Sequence, residues 1–200
     1  MTLLTAVNEV CDVVGLDRIP VVYGGDSEAS YMMLTLANEA GQEIARRADW
    51  KRMIKAATVA SSPFTLPADW HRLAPGGSVR AADGSMIRPV TNSGMWAIAK
   101  SSSVTPYYFF NGSIVLFAPA ASAVGAQIDY LSKNWVKQDV GGLEAAAFLS
   151  DDDTTLFPQR LLTKNMVWRW KRQKGLAYED NLAEFEADLE IEANADRGVQ

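Results

Sequence analysis

The chain has 200 residues, 48% of them hydrophobic, a single cysteine and a formal net charge of −5. That length and apolar content exclude a disordered chain and suffice for one domain with a core, or a core plus a smaller subdomain. The charge argues against a protein that grips phosphate backbones, and it is unevenly spread: the last 26 residues carry eight acids and one arginine, or −7, leaving +2 on the first 174.

Cys11 stands alone, which excludes an intrachain disulfide or a cysteine-rich zinc site and fits a reducing compartment. The N-terminus lacks a basic n-region and meets Glu9 and Asp12 early, unlike a signal peptide. The longest uncharged run, Ser101 to Ile128, is broken by Pro106, Asn111-Gly112 and Pro119, so it does not read as a membrane span. These features together predict a soluble, cytoplasmic chain.

Leu3, Val7, Val10 and Val14 recur at helical spacing, with Gly15 as the stop. After a loop holding Pro20 and Gly24-Gly25, Asp26 or Ser27 can cap a second helix with Glu28 in its first turn. Met33, Leu36, Ala37, Ala40, Ile44 and Ala48 make its core stripe, Glu43 can pair with Arg47, and the helix is expected to run to about Asp49. From Trp50 the period shortens. Ala56–Ala60, Phe64–Leu66, Val79–Ala81, Met86–Val90, Tyr107–Phe110, Ile114–Phe117 and Gln127–Leu131 read as antiparallel strands. Asp83-Gly84 and Asn111-Gly112 are the residue pairs that type I′ hairpins favour. The Tyr107–Phe117 hairpin is apolar on both faces, so it is either sandwiched within its domain or offered to a neighbouring subunit, and the chain has little material left to cover it twice.

Residues 138–155 hold Gly141-Gly142, an alanine run and Asp151-Asp152-Asp153. The three aspartates lack the alternating ligands, central Gly and terminal Glu of a calcium loop, and Asp153 or Thr154 more simply caps the next helix, with Pro158 in its first turn. That helix is basic from Arg160 to Lys174. The one after it is acidic from Glu179 to Asp196, and Gly175 between them predicts an αα-hairpin. Tyr178, Leu182, Phe185 and Leu189 form a single apolar stripe on the acidic helix. On the basic helix Leu162, Met166, Val167 and Trp170 face a core, while Leu161 and Trp168 fall on the opposite side, between Lys164 and Arg172. Trp168 is either covered by its own chain or is an anchor for a partner protein. The candidate interface residues are Leu161, Lys164, Trp168 and Arg172 on the basic helix, and Glu184 and Asp188 on the acidic one.

No phosphate-binding glycine loop, nucleophile elbow or zinc-protease helix is present, and the only histidine, His71, sits in an expected turn as a structural hydrogen-bonder. No catalytic residue, metal ligand or cofactor is assigned, and an enzyme is the least favoured class.

Several segments in one order carry a resemblance: Leu34–Trp50 (LTLANEAGQEIARRADW), Phe64–Leu73 (FTLPADWHRL), Asp129–Val136 (DYLSKNWV) and Leu161–Asp180 (LLTKNMVWRWKRQKGLAYED). Together they resemble the head-to-tail adaptor, or connector, proteins of tailed bacteriophages; the segment Arg80–Ser103 carries no part of it. The resemblance implies an α+β fold, a helical bundle of about four helices (1–50 and 154–200) carrying an inserted antiparallel β domain (51–137), with 138–153 as a linker or arm. It also implies a virion protein that forms a homo-oligomeric ring, a dodecamer, under the portal protein. Such a ring contacts a tail or tail-completion protein, and double-stranded DNA passes through it without specific binding. Separate basic and acidic helices suit the heterologous contacts of a ring. The alternative is a monomeric, non-enzymatic tail-completion or assembly module.

Overall fold

The computed structural model describes residues 2–76, 79–101 and 104–198; Ser102 and Ser103, at the end of the segment without resemblance, lie outside them. The fold is mixed α+β and divides into two compact units, Met1–Met53 with Lys133–Gln200, and Ile54–Ser132.

Helix α1 (Leu3–Val14) starts at Thr2, whose hydroxyl accepts from the Thr5 amide, and stops where Gly15 takes φ 75°. The Leu16 amide then donates back to the Cys11 carbonyl at 2.9 Å, closing the last turn. Helix α2 (Glu28–Arg47) is capped by Ser27, whose Oγ accepts from the Ser30 amide at 3.0 Å, and it ends two residues before the expected Asp49. Glycine at position 41 is required by packing: a Cβ there would fall inside the Trp135 ring.

In the second unit, β1 (Ile54–Thr58), β2 (Phe64–Thr65), β3 (Trp70–Leu73), β4 (Val79–Arg80), β5 (Arg88–Pro89), helix α3 (Ser93–Ala99), β6 (Tyr107–Asn111), β7 (Ile114–Ala118) and β8 (Gln127–Ser132) build two sheets. One runs β1-β8-β3 with β4 also on β8; the other runs β2-β7-β6-β5. Pairing is antiparallel, with Ile54 opposite Leu131 and Tyr108 opposite Phe117, except that β5 lies parallel to β6. His71 is therefore on a strand rather than in a turn.

Both glycine turns differ from the expected type I′. Asn111 pairs with Ile114, so the central residues are Gly112 and Ser113, and only Gly112 has positive φ, as in a type II′ turn. At the other, the Gly84 amide bonds the Ala81 carbonyl and the Ala81 amide bonds the Ser85 carbonyl, a three-residue loop with Gly84 alone at positive φ. The Asp83 carboxylate stabilises that loop by accepting from the Ser85 amide and hydroxyl, which a two-residue turn would not allow.

The β6–β7 hairpin is covered on both sides. Tyr108, Val115 and Phe117 join Val59, Val79, Ile87 and Ile128 in one core, and Phe109, Leu116 and Tyr107 pack against Trp96 and Ala99 of α3. Trp96 stacks on Phe109 with ring centroids 5.6 Å apart. The material that covers the second face is α3, a helix inside Arg80–Ser103 that the sequence reading left as strand and loop. Its signal is Asn92, whose Oδ1 accepts from the Met95 amide at 2.7 Å.

The chain returns to the first unit through β9 (Val136–Lys137), β10 (Glu144–Ala145) and β11 (Thr154–Thr155), a small sheet ordered β10-β9-β11. Residues 138–153, expected as a linker or arm, contribute buried side chains to this unit. Phe148 is 2% exposed and sits edge-on to Trp135, which stacks on Phe157 beside Trp50. Asp153 is buried and accepts from the amides of Asp139, Leu149 and Ser150, at 3.1, 2.7 and 2.9 Å. It is thus no helix cap: three nearby amides occupy its carboxylate, and Thr154 lies in β11. Asp151 accepts from the Val22 and Tyr23 amides, tying this segment to the α1–α2 loop.

Helices α4 (Gln159–Gln173) and α5 (Glu179–Arg197) complete the unit. Gly175, φ 68°, ends α4 with two closing bonds, its own amide to Arg172 and the Leu176 amide to Lys171.

Candidate assembly surface

Helix α4 is packed by α1, α2 and α5, which approach it from different sides. An apolar residue on almost any of its faces therefore finds a partner within the unit. Leu161 is fully buried and Trp168 only 5% exposed, beside the expected core residues Leu162, Met166, Val167 and Trp170. This corrects two of the candidate interface residues: in this structure Leu161 and Trp168 are core. The Trp168 ring lies 6.4 Å from that of Tyr178, with the guanidinium groups of Arg169 and Arg172 at 4.9 and 5.0 Å over it. Those contacts add cation–π attraction to burial. Of the basic-helix candidates only Arg172 is largely exposed.

The charged candidates are also spoken for within the unit. Lys164 pairs with Glu184 at 2.5 Å and Asp188 at 2.6 Å, and Arg160 reaches Asp188 at 3.2 Å. Burial alone would lower the Lys164 pKa, but its hydrogen bonds to Asp188 and Glu184 outweigh that and hold it above the ordinary value. Behind α4, the buried Asn165 donates to Glu43 and accepts from Arg169, and Arg169 also bonds Glu43 at 2.5 Å. Arg47 adds the expected i,i+4 contact to Glu43 at 3.6 Å and a two-armed bond to Glu186. Desolvation pushes the Glu43 carboxyl up, but the bonds from Asn165 and Arg169 and the Arg169 and Arg47 charges leave it below its ordinary value. The opposite charges of α4 and α5 thus close largely on each other and on α2.

Two grooves remain open on this unit. Because α1 and α5 both lean on α4, a groove of about 500 Å³ runs between them, with Val13 and Val167 as its apolar residues and Glu9, Lys164 and Glu184 around them. A second, of about 630 Å³, lies between α2 and the end of α4, where Tyr31, Met32 and Leu36 meet Arg172 and Lys174. Glu184 and Lys164 therefore border an open groove even though they pair with each other.

Among the described residues no group of three or more His, Cys, Asp or Glu side chains is arranged to hold a metal ion. Among the same residues, no helix is long and apolar enough to cross a membrane. The surface features that sequence reasoning missed are the outer side of α3, with Met95 and Ile98, and the outer side of α5 around Ile191. The signal for the second was present, since Ala183, Ala187 and Ile191 repeat at four-residue spacing away from the Phe185 stripe.

The comparison with curated proteins gives no match. The family model described as SU10 adaptor protein matches residues 1–199, nearly the whole length over which both units are built. The chain belongs to the SU10 adaptor protein family, a family of structural head–tail adaptor proteins of phages.

Proposed function

We propose that this protein is a head-to-tail adaptor that assembles as a dodecameric ring beneath the portal, joins it to the tail and forms part of the DNA channel. The observation that carries the reading is the family match over residues 1–199. The structure supports it with two firmly packed units whose ionic groups are mostly paired internally, leaving apolar and charged helix faces for neighbours. The ring contacts are weak one by one, because exposed ion pairs contribute about 0–1 kcal/mol each. A portal template overcomes that by raising the effective concentration of copies. The acidic C-terminal helix suits a channel through which DNA slides, since a negative wall does not hold phosphates.

Size-exclusion chromatography with light scattering, on the chain alone and with purified portal, tests this. The expected result is monomer alone and a stoichiometric complex with the portal. A chain that never co-elutes with the portal, or that instead binds a tail protein as a monomer, overturns it. DNA affinity is expected to be weak and insensitive to sequence; a sub-micromolar complex at physiological salt would contradict the channel role.

A further inference from the structure

Two helix faces are left bare by the packing, and they carry opposite charge. On α5, Phe185 and Leu189 point inward, so Asp180, Ala183, Ala187, Glu190 and Ile191 fall within an arc of about 100° on the outer side. All five are exposed, Ile191 by 64%. Glu184, Glu186 and Asp188 are taken by Lys164, Arg47 and Arg160, whereas Asp180 and Glu190 have no ion-pair partner among the described residues.

On α3, Trp96 and Ala99 face the sheet, so Met95 and Ile98 stand outward, 55% and 67% exposed. Arg88 lies opposite Tyr107 in the ladder and so shares the sheet face that α3 covers, and Lys100 ends the helix. Both are exposed and without an ion-pair partner among the described residues.

We propose that the α3 face of one copy docks on the outer face of α5 of the next copy in the ring. This inference rests on the ring reading and names its contact. Met95 and Ile98 meet Ile191, Ala183 and Ala187 let the helices approach closely, and Arg88 and Lys100 stand against Asp180 and Glu190. Pairing like with like would oppose two acids to two acids, or two cations to two cations, so the charges select the unlike pair. Because the faces differ, each copy keeps one free face of each kind. Contacts of that type run head to tail and close into a ring when the rotation permits.

The test uses the full-length chain, with one size-tagged variant carrying Ile98→Cys and another Ile191→Cys, joined by a short bis-maleimide; the native Cys11 is buried. The expected product is the unlike pair on mixing, in clear excess over either like pair. Asp180→Lys with Glu190→Lys in the Ile191→Cys chain should lower its yield about tenfold, and Arg88→Glu with Lys100→Glu in the other chain should restore it. Circular dichroism of each variant checks that the fold is kept. Like pairs that link as readily as unlike ones, or a yield indifferent to charge reversal, overturn the contact. Repeating the reaction on portal rings separates the two readings. Recruitment without the 98–191 link rejects this contact and leaves the adaptor role standing; unlike links without recruitment do the reverse.

Discussion

Helices α4 and α5 are the two arms of one hairpin, similar in length and both strongly charged, yet they use their surfaces in opposite ways. Helix α4 buries seven residues distributed around its axis, and α5 buries two on one stripe. Charge density alone would rank both as surface helices. The difference is that the long basic side chains of α4 lie along the surface, Lys164 with 16% of its side chain exposed, and leave the backbone covered by three neighbours. The acids of α5 exceed the cations that face them, so the surplus points outward. A helix that is ion-paired within its own unit is a poor candidate for an interface; a helix with unmatched charge is a good one.

The sharpest way to break this contrast is to truncate one apolar residue on each arm. Trp168→Ala and Trp170→Ala should each cost about 3–5 kcal/mol, because both rings are buried and leave a cavity. Melting temperatures should fall by about 2–4 °C per kcal/mol. Ile191→Ala should stay within about 0.5 kcal/mol of the parent. A Trp168→Ala protein that melts with the parent would return Trp168 to the list of interface anchors.

A smaller effect is expected where α2 meets Trp135. Gly41→Ala should destabilise by about 1–3 kcal/mol through overpacking, since the added methyl has no room against the indole. Gly94→Ala on α3, whose added Cβ would have Asn92 Oδ1 as its nearest neighbour at 3.5 Å, should be neutral or stabilise by up to about 1 kcal/mol. Chemical denaturation of the pair compares a helix face in contact with one that is free.

In the β unit, Asp69 accepts from Lys55, Tyr130 and Ser132 at 2.8, 2.9 and 2.9 Å. Burial raises its pKa, and the bonds from Lys55, Ser132 and Tyr130 with the Lys55 charge lower it further than burial raises it. Glu43 is lowered in the same sense in the helical unit. A carboxyl with a depressed folded pKa stabilises above its unfolded value, about 3.9 for Asp and 4.3 for Glu, and loses that contribution as pH falls through the folded value. Both units should therefore weaken below about pH 4, and Asp69→Asn should cost about 1–3 kcal/mol at neutral pH while flattening the acid response. Unfolding curves collected from pH 6 downward, at steps set by those reference values, check it; an unchanged acid response in Asp69→Asn would remove Asp69 as its source.

The smallest change expected is from Lys164→Met. Its partner Glu184 is 57% exposed, and Arg160 still reaches Asp188, so the loss should be about 1 kcal/mol or less at neutral pH. Because the Lys164 pKa is raised, the parent should lose that contribution only as pH climbs past the ordinary lysine value, and the variant should show no such alkaline loss.

The sequence by itself determined what depends on a turn or two of chain. Ser27 caps α2, Gly15 and Gly175 end α1 and α4, and the Phe185 stripe orients α5, because each signal lies within a few residues of the structure it produces. Seven strands were legible to within about two residues, and both glycine turns were located, although how many residues each loop holds was set by the ladder on either side. Strands of two residues such as β9, β10 and β11 carry no period to detect, and they exist because distant partners complete their hydrogen bonds. The tertiary structure alone decided that α3 covers the second face of the β6–β7 hairpin, that Asp151 ties the α1–α2 loop, and that Trp168 is core. In each case the outcome turns on which remote segment arrives at a surface, and periodicity reports only that a surface is apolar or charged, not what will cover it.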